Sequence, residues 1–114
     1  MIPCRFALHT LPDGSSHIDL FISPDETGDL RTFEISSEYL KSLEKCFHEK
    51  SPPLFLITDS STGGNSIPLV EKRPHKRIYL EFEGIIEGNR GVLIHMGYGF
   101  LEKISKICQF LSRN

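Results

Sequence analysis

The sequence predicts a small, mainly β domain with one or two helices. Three observations carry that reading. Several short runs alternate apolar and polar residues with the period of a strand. They are separated by clusters of Pro, Gly, Asp and Ser that favour turns. The chain has 114 residues, which suits one domain, spanning 1–114, with a single core.

Residues 4–11, CRFALHTL, read as the first strand, with Phe6 and Leu8 on one face and Arg5, Ala7 and His9 on the other. Pro12, Asp13 and Gly14 supply the turn. In residues 16–23, SHIDLFIS, Ile18, Leu20 and Ile22 share a face opposite His17, Asp19 and Phe21. After the turn PDETGD, LRTFEI at 30–35 makes a third strand, so the chain opens as an antiparallel meander. A helix is expected next, capped by Ser36 or Ser37. Tyr39, Leu40, Leu43, Cys46 and Phe47 recur at helical spacing, and Pro52 and Pro53 stop the helix. PLFLITD at 53–59 reads as a buried strand, SSTGGNS at 60–66 as a loop, and 67–70 as a short pairing segment. The most regular alternation lies at 77–83, where Ile78, Leu80 and Phe82 interleave with Arg77, Tyr79, Glu81 and Glu83. EGNRG at 87–91 is a hairpin turn, and RGVLIHM is the return strand. In the last segment Leu101, Ile104, Cys108 and Leu111 have helical spacing. Ile104, Lys106 and Cys108 also alternate, which leaves a strand as the other reading.

Composition narrows the function. A net charge of −2 argues against strong non-specific nucleic-acid binding and leaves room for a local basic patch. The 3 cysteines form no CxxC pair, so neither a disulfide framework nor a cysteine-zinc site is expected, and a reducing cytoplasm is the simplest compartment. The opening MIPCRFALHT does not read as a signal peptide, and no apolar run approaches the ~20 residues that span a bilayer. GxSxG, P-loop and GxGxxG motifs are all missing.

Two constellations can carry chemistry. On a strand, His17 and Asp19 point the same way with α-carbons ~6.6 Å apart, and both can reach one divalent ion. His9 on the neighbouring strand can supply a third ligand. Two imidazoles and one carboxylate leave positions open for water or a phosphate oxygen, and they suit Mn, Fe or Zn better than Ca or Mg. A partly exposed polar pair is the competing reading. The second constellation is His75 and Tyr79, behind Lys72, Arg73, Lys76 and Arg77. Cations there attract a phosphate and stabilise charge on its oxygens. On a flat strand the α-carbons of His75 and Tyr79 would lie ~13 Å apart, so an extended substrate would be needed to meet both. The competing reading is a basic loop entering an edge strand.

The order of RFALHT, HIDLFIS, DLRTFEI, HKRIYLEFEG and GNRGVL resembles the 3′-phosphoesterase domain of DNA ligase D and its small stand-alone relatives. The resemblance covers residues 5–35 and 72–94. It implies a small, partly open antiparallel β-barrel with a crescent groove. It further implies a manganese-preferring hydrolase, with zinc as the other candidate ion, that trims nucleic-acid 3′ ends by removing a terminal ribonucleoside or a 3′-phosphate. By position, His9, His17 and Asp19 would hold the metal, His75 would contact the phosphate, and Tyr79 would assist. A monomer working beside a DNA ligase or repair polymerase is the implied setting. Two positions depart from the family. Phe21 stands where the ligase-fused domain has a phosphate-binding Arg, so Arg77 or Arg90 would have to supply that charge. His95-Met96-Gly97-Tyr98 stands where the family tends to have Trp-Asp-Arg-Gly. These departures keep open a module of the same fold that binds phosphate or nucleic acid without catalysis. A third reading takes His17, Asp19 and His75 as the facial triad of a non-haem iron oxygenase; the chain is short for that fold.

Overall fold

The computed structural model describes residues 2–47, 54–58, 66–102 and 109–112. Among them, nine strands form one sheet. They are β1 (Ile2–Thr10), β2 (Ser16–Ile22), β3 (Leu30–Ser36), β4 (Leu54–Thr58), β5 (Ser66–Pro68), β6 (Val70–His75), β7 (Gly84–Ile85), β8 (Val92–Leu101) and β9 (Gln109–Ser112). The mainly β expectation holds, and the one α-helix among the described residues is α1 (Leu40–Cys46).

The meander forms as the alternation predicts. β1 pairs with β2 with His9 opposite His17 and Ala7 opposite Asp19, and β2 pairs with β3 with Asp19 opposite Glu34. Asp13 fixes the first turn, its carboxylate accepting from the Ser15 N–H and hydroxyl. The strand order is β5-β9-β4-β8-β1-β2-β3-β6, with β7 attached to β8. The pairing is antiparallel except between β4 and β8, which run parallel. β5 and β6 lie at opposite edges of this order, yet Leu69 alone separates them in the chain. The sheet must therefore curl until its edges approach, which makes it a barrel left partly open.

Both faces are covered. Inside, Phe6, Ile18, Leu20, Ile22, Phe33 and Ile35 are fully buried and pack with Leu43 of α1. A 3-10 turn at Ser37–Tyr39 leads into α1, with the Ser36 hydroxyl accepting from the Glu38 N–H. Tyr39, Leu40, Cys46 and Phe47 lie partly buried on the same cluster, as their spacing predicts. A β-bulge shifts the β1–β8 register between Phe6 and Ala7, so Gly97 faces Phe6 while His95 faces Ala7. A Cβ on Gly97 would collide with the Phe47 ring, which itself packs on Phe6 at 5.2 Å between centroids. On the outer face, Ala7, Phe21, Leu30 and Leu93 form a second cluster, closed over by Tyr79, Leu80, Phe82 and Ile86.

That covering segment corrects the sequence reading. Residues 77–83 are not a strand: Arg77–Leu80 form a 3-10 turn, and the strand before it is β6, ending at His75. Alternation would have turned Ile78 inward with Leu80 and Phe82, but Ile78 is 64% exposed. The Ile78 carbonyl at this turn accepts from the Glu81 and Phe82 N–H groups and folds the chain back, and Tyr79 and Phe82 meet at 5.8 Å and cover the sheet together. The expected C-terminal helix is also absent where the chain is described. Phe100 and Leu101 finish β8, and Gln109–Ser112 form β9 between β4 and β5. The helix stop at Pro52 and Pro53, the 60–66 loop apart from Ser66, and residues 103–108 lie outside the described residues.

Candidate metal centre and phosphate cleft

The β1–β2 register places His9 beside His17, and the two-residue pleat places Asp19 on the same face. Their side chains converge. Asp19 Oδ1 lies 3.0 Å from His17 Nε2, Asp19 Oδ2 lies 3.3 Å from His9 Nδ1, and the two nitrogens are 3.2 Å apart. One donor atom from each residue falls within 4.8 Å of the others. Asp19 is 6% exposed, at the bottom of the group.

The outward nitrogens decide what this convergence means. His9 Nε2 is 2.7 Å from the Arg90 carbonyl oxygen, which can only accept, so Nε2 carries the hydrogen. Neutral His9 therefore turns the lone pair of Nδ1 toward Asp19. His17 Nδ1 faces Glu34 Oε1 at 3.5 Å. Two ring lone pairs and a carboxylate aimed at one point repel unless a cation or a proton lies among them. An outward N–H held by a carbonyl, as at His9, while the inward nitrogens converge is the arrangement of metal-binding histidines, and the donor set fits a divalent first-row ion.

Without a metal, a proton serves. The hydrogen bond to Asp19 raises the His17 pKa above its ordinary 6.5, and burial partly opposes it. The protonated pair contributes stability that is fully present below the ordinary value and is lost as pH rises through the raised one. A divalent ion held by the same nitrogen would compete with that proton, so its binding would strengthen over that same rise. Titration calorimetry with Mn²⁺ at pH values on both sides checks this. A pH-independent affinity would contradict it.

Beyond the metal group, a cleft of about 100 Å³ is lined by His9, Asp19, Phe21, His75, Tyr79, Ile86, Arg90 and Leu93. His75, Tyr79 and Arg90 also line an adjoining cleft of about 400 Å³, with Asp29, Arg73, Pro74 and Lys76. The two adjoin at these three side chains, one beside the metal group and one at a basic end. Because the 3-10 turn folds the chain back, the His75 and Tyr79 rings stand 5.7 Å apart, not the separation of a flat strand. Phe21, 1% exposed, is the floor beneath them, with ring centroids 5.6 Å from His75 and 6.2 Å from Tyr79.

The two arginines part company. Arg90 lines both clefts. Arg77 lines neither; its guanidinium donates to the Gly28 and Asp25 carbonyls and the Ser23 hydroxyl at 2.9–3.0 Å. Its expected phosphate role gives way to pinning the 23–28 turn to the covering segment. Arg77→Ala should therefore cost about 1–2 kcal/mol of stability, the scale of hydrogen bonds to a charged group reduced for partial exposure. Thermal denaturation would read that loss, with metal binding unchanged. The sequence reading missed Glu34, Asp29, Ile86 and Leu93. The pleat carried a signal for Glu34, because it faces Asp19 across two adjacent strands. His95 has both ring nitrogens buried, and burial pushes its pKa down. His48 lies outside the described residues.

Comparison with family models, with curated proteins and with solved structures gives no match. No helix among the described residues is long and apolar enough to cross a membrane.

Proposed function

We propose that this chain is a metal-dependent phosphoesterase acting on nucleic-acid 3′ ends, with His9, His17 and Asp19 as the metal ligands. The observation that carries the reading is the convergence of those three donors at the wall of a groove whose other polar groups are His75, Tyr79 and Arg90. A bound Mn²⁺ or Zn²⁺ would polarise a phosphate oxygen and lower the pKa of a water. His75 Nδ1 donates to the Arg73 carbonyl at 3.0 Å, which leaves Nε2 to take up a proton and donate it to a phosphate oxygen. Tyr79 positions the substrate against His75. Arg90 offers its charge where the groove turns outward, and Arg73 and Lys76 extend the positive field toward a strand of nucleic acid. A cytoplasmic setting beside a ligase or repair polymerase belongs to the same proposal.

A second reading rests on Phe21 and Arg77. An apolar ring forms the groove floor, and Arg77 is bound elsewhere, so the groove could hold a phosphate without turning it over. Mn²⁺-dependent release of phosphate from a 3′-phosphorylated oligonucleotide separates the two. Release that EDTA abolishes supports the enzyme. Binding of oligonucleotide without release supports the binding module, and no Mn²⁺ binding sinks the enzyme.

A further inference from the structure

We propose that His95 is an acid-sensitive latch on the segment that covers the outer face: the neutral ring lets residues 79–83 lie on the sheet, and protonation drives them off. This holds with or without a metal. His95 lies opposite Ala7 in the β1–β8 register, so its side chain shares the face that Tyr79, Leu80 and Phe82 close over. Both ring nitrogens are buried, and neither has a hydrogen-bond partner. The backbone of the same residue is a tie to the cover, because the His95 N–H donates to Glu83 Oε1 at 2.8 Å. Glu83 directly precedes β7, so this bond extends the attachment that the β7–β8 pairs begin.

A neutral imidazole carries one N–H, whereas an imidazolium carries two and needs an acceptor for each. A buried charge without them is costly. Among the described residues, the charged groups that face the ring are Arg5 from β1 and Glu83 from the covering segment. Burial and Arg5 hold the His95 pKa below its ordinary 6.5, against the pull of Glu83 and of the Phe82 and Glu81 carbonyls. With the cover lifted, water satisfies both nitrogens and the ordinary value returns. The lifted state therefore takes the proton first as pH falls. Stability of the closed cover is full above 6.5, declines as pH drops below that, and levels off below the depressed value. One proton taken up on opening shifts the equilibrium by up to about tenfold per pH unit. Lifting the segment takes Tyr79 away from His75 and bares Phe21, so the cleft they form comes apart in acid while the strands beneath persist.

Amide hydrogen exchange on the full chain reads the latch. Between about pH 7.5 and about pH 5, protection of the Phe82 and His95 amides, corrected for the intrinsic rate, should fall roughly tenfold or more, while amides of the β1–β2 pair keep theirs. His95→Phe keeps a flat ring without a titrating group, and there the fall should vanish. Arg5→Gln removes the cation that opposes the proton and should shrink the fall. Glu83→Gln keeps an acceptor for the His95 N–H, removes the anion that favours the proton, and should deepen it. These opposite signs decide the matter even if His95→Phe does not fold. The proposal is overturned by no fall in the parent, by an equal fall in His95→Phe, or by a joint loss of protection in the cover and the β1–β2 pair. Shifts of one sign in Arg5→Gln and Glu83→Gln overturn it too, as does an NMR titration that places His95 of the folded chain at or above 6.5.

Discussion

His17→Ala is expected to abolish Mn²⁺ binding at micromolar metal and to cut any phosphoesterase turnover by a factor on the order of 10³ or more. The magnitude follows from the layout. Losing an outer partner of a metal ligand costs ~10–100-fold, and loss of the ligand itself should exceed that. His17 Nε2 is the nitrogen closest to Asp19, and its removal leaves His9 and Asp19 as a two-point site. The fold should survive, because His17 is on the outer face and the buried Ile18, Leu20 and Ile22 point the other way. Calorimetry with Mn²⁺ and the oligonucleotide assay check the two parts. Parent-like metal affinity in a folded His17→Ala protein would remove the site from consideration.

Among the described glycines, Gly91→Ala should be the most damaging substitution. Gly91 has φ +99°, where an L side chain is strained, and a Cβ there would collide with the Thr10 carbonyl oxygen at the end of β1. Backbone cannot swing aside as a side chain can, so the turn or the β1–β8 pairing has to move. Strain and collision together should cost about 2–4 kcal/mol, which for a domain of this size lowers the melting midpoint by roughly 10 °C or more. A second effect is more specific. The residue before Gly91 supplies the carbonyl that orients His9, so Mn²⁺ affinity should fall even where the variant remains folded. Thermal melts and metal titration at low temperature separate the two effects. Gly14→Ala makes a fair control, because it too has positive φ but no atom within 4 Å of the added carbon.

Much of the site was legible because strands report their faces with period 2. His9, His17 and Asp19 needed only that period and one hairpin to be placed together. The covering segment was harder. Ile78, Leu80 and Phe82 satisfy a strand pattern, and nothing local says that Phe21 and Leu93 on distant strands leave an apolar face for Tyr79, Leu80 and Phe82 to close. Arg77 was misplaced for the same reason: its partners at Ser23, Asp25 and Gly28 are remote in sequence. The parallel β4–β8 pair and the insertion of β9 between β4 and β5 are long-range matters on which short windows are silent. Ser36, Leu43 and Phe47 show the opposite case, in which a local cap and a helical stripe were enough.

The pairing of β1 with β8 ties residues 2–10 to residues 92–101. Contacts this far apart along a chain form slowly, since a long loop must close before any of them is rewarded. His9 meets the Arg90 carbonyl across that same seam. A ribosome-bound chain emerging to residue 85 would hold all three donor side chains yet lack the strap that aims one of them. Any competence to capture an ion should therefore appear late, in step with the final closure of the sheet and not with its opening hairpin.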